Sequence, residues 1–457
     1  MLPMERSWLA RYTAEFAGTY MLVLAYGSNA LSGNWLSGPT SNACIYMGLV
    51  YATVGTSGGH LNPAVSLAVG VAQQMPIGKV LRYCLCQCLG GLLGALTFIA
   101  LFMDNLDLGP RPGFSWGQAA WAEMLHTGML CFVFLNCVVA LRSMGGQFFG
   151  IAVGFAALAG GYAAGPISGG CLNPAVVLGV DILNISQGFG FSAVYFGSQM
   201  VGAALAGALF RLIRQDSLGI GASQGWAAAL MGEFVGTFWL VLALSASLLA
   251  TSAAAAWSAG GALVALFFSL WDVSGAHLNP AVTLAVLLSG AQLRSPKAGV
   301  TPVVLGRSLL FMAVQLLAGL LAVGAATLLR PGSGTVVEPL HYSLSHQALA
   351  EASFTALLCF VLLATATDRT LHPLTQYAGL AVGLCVVATS AVLPAVSGGS
   401  ANPAATLGLL AQNKAPIGHG LVLVGAQFLG AALAAGLVRL GLAQYQLPSP
   451  ELPQQEP

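Results

Sequence analysis

Charge is what this 457-residue chain has least of. Only 6% of its residues are Asp, Glu, Lys or Arg, against about 25% in an ordinary soluble domain. So few charges cannot cover the surface of a soluble protein this long. The formal net charge of +1 provides no field that would gather nucleic acid or acidic partners. No Gly-rich phosphate loop, nucleophile elbow or metal-ligand spacing occurs, so no catalytic residue, cofactor or metal is expected. The nine cysteines lie almost wholly in apolar segments. Cys84, Cys86 and Cys88 alternate, and helical spacing puts only Cys84 and Cys88 on one face, which suits packing better than tetrahedral ligation.

What the chain has in abundance is apolar sequence, 57% of all residues, and 58 glycines. Hydrophobic runs of eighteen or more residues recur along most of its length, the mark of membrane-spanning helices. Abundant small residues are what such helices need to approach closely. Arg6 and Arg11 precede the first run, which is too long for a signal-peptide core and lacks a small-residue cleavage site, so it reads as a retained first helix. The fold class is therefore an all-α polytopic membrane protein.

The sequence also repeats itself. AEFAGTYMLVL (14–24) returns as GEFVGTFWLVL (232–242), and GGHLNPAVSLAV (58–69) as GAHLNPAVTLAV (275–286). AEMLHTGMLCFV (122–133) returns as AEASFTALLCFV (350–361). The offsets run from 217 to 229 residues, from 58→275 to 173→402, so two homologous units cover 1–213 and 225–444. A cytoplasmic linker (214–224) joins them, and a Pro/Gln-rich tail (445–457) is expected to be disordered and cytoplasmic. Each unit is itself two weaker copies. Glu15, Asn62 and Gln87 match Glu123, Asn173 and Gln199, and the second unit repeats the set as Glu233, Asn279, Gln315 and Glu351, Asn402, Gln427.

Each quarter then holds three spans and one short half-helix. Spans are predicted at 9–31, 39–57, 78–103, 117–141, 147–163 and 189–212, and again at 225–248, 255–272, 300–329, 346–367, 376–394 and 417–442. Three is odd, so consecutive quarters must be inverted, an architecture that places solute sites at the midplane on interrupted helices. A cytoplasmic N-terminus puts Arg6, Arg11, Lys79, Arg82, Arg142, Arg211, Arg214, Arg294, Lys297, Arg307, Arg369 and Arg439 inside. Only Arg111, Arg330 and Lys414 of the 15 basic residues then lie outside, so both termini are expected on the cytoplasmic face.

The Asn-Pro-Ala triplets are Asn62–Pro63–Ala64, Asn173–Pro174–Ala175, Asn279–Pro280–Ala281 and Asn402–Pro403–Ala404. Asn is a strong N-cap and Pro suits the first helical position, so one such triplet says only that a helix starts. Four of them, each between a Gly-rich loop and a short apolar run inside an inverted repeat, imply half-helices meeting N-terminus to N-terminus. Each end carries about half a positive elementary charge. Two such ends oppose cations and protons, while the Asn amides can donate to a passing oxygen. Irregular loops at this depth must be buried in protein or line a cavity. A narrow pathway for small, uncharged, hydrogen-bonding molecules follows.

Together, SGGHLNPAV (57–65), GPISGGCLNPA (165–175), VSGAHLNPAV (273–282), AVSGGSANPA (395–404) and the Glu and Gln repeats make the chain resemble the aquaporin, or major intrinsic protein, family. It looks like a tandem duplication of two complete aquaporin units. The resemblance implies six helices and two half-helices around one pore per unit. It also implies an assembly of four units, here a homo-oligomer of two chains. By the same resemblance, Glu15, Glu123, Glu233 and Glu351 support the loops by bonding their backbone. A proton relay is the rival reading, since ionisable groups inside spans are costly and often functional; their regular pairing with the loops favours support.

The chain departs from the family where selectivity is set. The resemblance places an arginine after the second Asn-Pro-Ala and often a histidine twelve residues before its Asn. Here these constriction positions hold Val176 and Gly161 in unit 1, and Ala405 and Ser390 in unit 2. Gly170 and Gly399 stand three before the Asn, and ungapped counting puts Asn42 and Ala259 at the second-helix position. Losing Arg removes a fixed charge and several donors. The expectation is a passive channel for water and small uncharged solutes such as glycerol, urea, ammonia or hydrogen peroxide. Neighbouring loops refilling the gap would leave a water pore instead. A secondary transporter, which inverted repeats also build, and a weakly conducting membrane-junction protein are the alternatives.

Other polar residues allow two readings each. His60 and His277, just before Leu-Asn-Pro-Ala, either support their loops or gate with pH. Cys171 is expected to face the outer mouth, and His126 to be a packing variant. Asp272 and Asp181 either tune one entrance or satisfy local hydrogen bonds.

Overall fold

The computed structural model describes residues 7–33, 36–140, 146–183, 191–218, 225–252, 254–290, 301–330, 342–366, 375–412 and 416–441. The expected tail (445–457), most of the linker (219–224), and Arg6, Arg142, Arg294, Lys297, Arg369 and Lys414 lie outside the described residues.

Unit 1 runs α1 (Trp8–Leu31), α2 (Gly38–Ser57), α3 (Pro63–Val71), α4 (Ile77–Phe102), α5 (Trp116–Phe134), α6 (Phe149–Ser168), α7 (Pro174–Leu183) and α8 (Phe191–Ile213). Unit 2 repeats the order with α9 (Trp226–Leu249), α10 (Ala255–Leu270), α11 (Pro280–Ser289), α12 (Pro302–Thr327), α13 (Leu344–Ala366), α14 (Ala378–Val396), α15 (Pro403–Gln412) and α16 (Ile417–Arg439). Long helices pair within each quarter: α1 packs on α4, α5 on α8, α9 on α12 and α13 on α16. The short α3, α7, α11 and α15 begin at the four Asn-Pro-Ala triplets, as an N-cap followed by Pro dictates. This is the twofold-repeated, inverted, all-helical membrane fold that the repeats imply.

Nine of the described helices are long and apolar enough to cross a membrane. α1, α2 and α10 do not reach that measure. α1 carries Arg11, Glu15 and Asn29, α2 carries Thr40, Ser41 and Asn42, and α10 has only 16 residues. Their polar groups face protein in part: Glu15 is fully buried and Asn29 bonds to Asn42. Predicted ends shift by a few residues. The span expected to run as one helix to 141 leaves α-helical geometry after Phe134, and α6, expected to stop at 163, continues through Pro166 to Ser168. A proline removes one N–H yet can be carried where neighbouring helices hold the turn. α5 passes at its end into a π-turn, Leu135–Val139, which contains the buried Asn136.

Small residues set how closely the half-helices approach the long ones. A Cβ on Gly91 of α4 would lie 2.5 Å from the Ala175 carbonyl oxygen on α7, and one on Gly319 of α12 would lie 2.4 Å from that of Ala404 on α15. Both glycines are therefore obligatory contact points, and both hold an Asn-Pro-Ala turn against its neighbouring span.

The two units are packed on each other through α10 against α6. Ser258 Oγ donates to the Ala159 carbonyl (2.9 Å), the Trp239 indole to Leu125 (3.2 Å) and the Trp121 indole to Ala325 (3.0 Å). Phe148 stacks on Phe268 with ring centroids 5.4 Å apart. Arg214, at the start of the expected linker, is fully buried and ion-paired with Asp272 at the end of α10. Its Nε also donates to Asn136 Oδ1 (2.8 Å) and its Nη2 to the Ser269 carbonyl (3.0 Å). Asp272 is thus the partner of a guanidinium 58 residues away in sequence rather than a group satisfied locally.

Candidate functional site

At the centre of unit 1, α3 and α7 meet with their N-termini facing. Asn62 Oδ1 accepts from the Ala64 N–H (2.9 Å), capping α3, and Asn173 Oδ1 accepts from Ala175 (2.9 Å), capping α7. The amides then cross over: Asn62 Nδ2 donates to the Leu172 carbonyl (2.8 Å) and Asn173 Nδ2 to Leu61 (3.0 Å). Unit 2 repeats the exchange, Asn279 to Ala401 (2.9 Å) and Asn402 to Leu278 (3.1 Å). Each primary amide has two donor hydrogens, and this exchange uses one of them. The other remains available to an oxygen at the meeting point.

These turns are held by buried carboxylates. Glu15 Oε1 accepts from Ser57 Oγ (2.5 Å) and the His60 N–H (3.1 Å), and Oε2 from the Leu61 N–H and Gln87 Nε2 (both 2.7 Å). Glu123 binds Ser168 (2.6 Å), Cys171 (3.0 Å), Leu172 (2.8 Å) and Gln199 (2.8 Å) in the same way. Glu233 binds Ser274 (2.5 Å), His277 (3.0 Å), Leu278 (2.7 Å) and Gln315 (2.7 Å). Glu351 accepts three: Ser397 Oγ (2.5 Å), the Ala401 N–H (3.0 Å) and Gln427 (2.7 Å). The need is local. Leu61, Leu172, Leu278 and Ala401 have φ of 48 to 53°, a left-handed conformation that costs an L-residue about 1–2 kcal/mol. A fixed acceptor opposite each N–H holds that turn in place.

The four serines were not singled out in the sequence, although each stands five residues before its Asn (57 before 62, 168 before 173, 274 before 279, 397 before 402). His60 Nδ1 lies 3.0 Å from Ser66 Oγ and His277 Nδ1 3.1 Å from Thr283 Oγ1, tying each loop to the half-helix that follows it. His126 is buried against the Ala122 carbonyl (2.9 Å), and Asp181 accepts from the Ser192 N–H (3.1 Å). Among the described residues, no group of three or more His, Cys, Asp or Glu could hold a metal.

The cavities that reach the two sets of crossed amides differ, and that of unit 1 extends into an open outer mouth walled also by Ala250, Thr251, Ser252, Ala254 and Arg330 of unit 2. In unit 1 a cavity of about 680 Å³ reaches both Asn62 and Asn173, with Gly161, Gly170, Cys171 and Val176 on its wall. Asn42, placed at the second-helix position by ungapped counting, lines it too. In unit 2 the cavity at Asn279 and Asn402 is about 30 Å³, roughly the volume one molecule occupies in liquid water. Ser390, Ala405 and Ala259 line it, whereas Gly399 does not. A Cβ on Gly399 would fall 2.0 Å from Glu351 Oε1, so that position faces the supporting carboxylate. Tyr26 and Tyr46 of the first cavity are replaced in the second by Leu244 and Leu263, at offsets of 218 and 217.

The sequence profile described as Major intrinsic protein matches residues 4–210, 221–394 and 341–452. Among curated proteins, a probable aquaporin NIP4-2 of Arabidopsis thaliana is 35% identical over 180 residues, covering 37% of this chain and 63% of that relative. Nodulin-26 of Glycine max is 32% identical over 236 residues, covering 50% of this chain and 86% of its own length. The X-ray structure of the aquaglyceroporin from Plasmodium falciparum aligns with a TM-score of 0.41 at 22% identity, over 45% of this chain and 96% of that one.

Proposed function

This chain belongs to the major intrinsic protein family, and from that we propose a channel with one pathway per unit in which unit 1 carries most of the flow. As a member of that family it is an integral membrane protein and a channel for water or small solutes. The finer reading is that the first pathway passes glycerol- and urea-sized neutral molecules as well as water. One observation carries it: a cavity of about 680 Å³ reaches the crossed Asn62 and Asn173 amides past Gly161, Gly170 and Val176, none of which has a polar side chain. In the second unit, aliphatic side chains such as Leu240, Leu244, Leu263 and Val386 leave about 30 Å³, which favours water over larger solutes.

Stopped-flow light scattering of proteoliposomes tests this. Vesicles shocked with glycerol or urea should shrink and then recover, while those shocked with sucrose stay shrunken. Val176→Trp, which narrows the first cavity beside Asn173, should abolish most of the recovery, and Ala405→Trp should leave most of it. Equal, unrecovered shrinkage in glycerol and sucrose overturns the permissive reading, and saturable, ion-coupled uptake overturns the channel.

Orientation and assembly belong to the same reading. Twelve of the 15 basic residues fall on the side of the N-terminus, which supports cytoplasmic termini. Within the chain, α6 of unit 1 packs on α10 of unit 2. Their repeat counterparts, α14 and α2, are left without such a partner in one chain. A second copy related by a twofold axis supplies both contacts and closes a ring of four pathways.

A further inference from the structure

Basic side chains converge where α1 and α4 begin, at the end of the bundle read above as cytoplasmic. Arg11 on α1 and Lys79 on α4 are close enough to repel each other. Arg82, exposed on the next turn of α4, turns its Nε back to the Gly78 carbonyl (2.9 Å). None of the three is ion-paired among the described residues, where the one salt bridge joins Arg214 to Asp272. The carboxylate that attracts Lys79 is Glu15, one turn deeper on α1 and already accepting four hydrogen bonds. Aromatic rings floor the same spot. Lys79 Nζ lies 5.3 Å from the centroid of the Tyr83 ring, Tyr83 meets Tyr12 edge-on at 5.8 Å, and Tyr12 meets Trp8 at 6.1 Å. Trp8 is 69% exposed, and Ile77, Leu81 and Leu85, four residues apart on α4, are 60–65% exposed. These three form an apolar stripe running from the cations toward the middle of the membrane. Unit 2 keeps one cation over its rings: Arg307 lies 4.8 Å from the Trp226 ring and 5.4 Å from the Phe311 ring, at the positions of Lys79, Trp8 and Tyr83. It has Ala229 and Leu310 in place of Arg11 and Arg82.

Single basic residues anywhere along this face would satisfy its need for positive charge. That need does not account for two cations held against each other over a floor of rings, beside a lipid-facing apolar stripe. Like charges so placed repel unless an anion sits between them. Guanidinium and ammonium donors at the membrane surface suit a phosphate that carries acyl chains. We propose that the start of the α1–α4 groove in unit 1 is a binding site for an anionic phospholipid. Arg11, Lys79 and Arg82 surround its phosphate, Trp8 lies beside the headgroup, and an acyl chain follows Ile77, Leu81 and Leu85. The bound headgroup offsets the repulsion between Arg11 and Lys79, so the lipid also stabilises the unit. The counterpart in unit 2, with one cation, holds such a lipid more weakly. None of these residues lines the cavity that reaches Asn62 and Asn173, so the site stands whichever solutes pass.

Native mass spectrometry of the full-length protein, stripped of lipid in detergent, tests this with dioleoyl phosphatidylglycerol against dioleoyl phosphatidylcholine. One phosphatidylglycerol per chain should stay bound under conditions that remove phosphatidylcholine. Arg11→Gln with Lys79→Gln should weaken its retention about 25-fold, about fivefold for each cation lost. Arg82→Gln, at an exposed side chain that bonds only within its own helix, should weaken it about fivefold. Lys79→Arg should leave it unchanged. Arg211→Gln, at the end of α8 on the same face, is the control and should also leave it unchanged. Phosphatidylglycerol should raise the Tm of the wild-type protein above its value in phosphatidylcholine, and the double variant should lose that gain. Equal retention of the two lipids, an equal loss in Arg211→Gln, or a loss in Lys79→Arg overturns the site. Displacement of the lipid by millimolar inorganic phosphate overturns the assignment to a lipid, since a free anion then suffices.

Discussion

Replacing the buried carboxylates one at a time with glutamine gives a ranked outcome that follows from the bond pattern. In Glu15, each carboxylate oxygen accepts from two donors, Ser57 Oγ and the His60 N–H on one side, the Leu61 N–H and Gln87 Nε2 on the other. Glutamine must turn one oxygen into an NH₂; on the Oε1 side the Ser57 hydroxyl can rotate to accept, but the His60 N–H is fixed and then faces a donor, and on the other side both donors are fixed. At least one bond to a charged acceptor is lost, at about 1.5–3 kcal/mol. Glu123 and Glu233 show the same four-donor arrangement, so Glu123→Gln and Glu233→Gln should cost as much.

Glu351 is different, because its Oε1 accepts only from Ser397 Oγ. A glutamine there can place its NH₂ on that side, and a hydroxyl can rotate to accept. Glu351→Gln then strands no fixed donor and should cost less than one such bond, below about 1.5 kcal/mol. Thermal unfolding of the purified protein in detergent reads the series. The first three variants should lower Tm on the order of 5–10 °C for a unit of this size, and the fourth by less than half that. Four equal shifts would refute the donor-counting argument. Unchanged stability with altered ion coupling would show that the carboxylates serve a proton relay and not the loops.

Two further outcomes test how the units are joined. Arg214→Met should destabilise the chain by at most about 3–5 kcal/mol, the cost of breaking a buried pair, because the partly buried Asp272 carboxylate (14% exposed) loses its cation; the double variant with Asp272→Leu should recover much of the loss in the same unfolding assay, and equal losses would refute an ion-pair role. Mass photometry of the protein in lipid nanodiscs should give particles of two chains, and single-chain particles would refute the closed ring of four pathways.

The features that could be read from sequence are those the chain writes four times. Glu15, Asn62 and Gln87 mean little alone, but their recurrence at matching offsets in an apolar chain leaves few explanations besides buried polar support for interrupted helices. The same logic was available for Ser57, Ser168, Ser274 and Ser397, which recur at a fixed distance from each Asn and donate to each Glu. A serine before Gly-Gly or, at Ser274, Gly-Ala also fits ordinary turn chemistry, and that common local role masks the repeat. What stayed illegible is what occurs once. Asp272 has no acidic counterpart at Gly55, and nothing local reveals that Arg214 will meet it; that contact forms where the two units pack, with Asn136 as a third partner. Arg111 is likewise a single basic residue in a connecting segment, and its place on the wall of the first cavity depends on a backbone bond to Ile167 on another helix. Duplication preserves the scaffold in every copy, because each loop needs its own acceptor. It also frees one copy from the demands on the other, so the residues that differentiate the two pathways are those a repeat-based reading is least able to see.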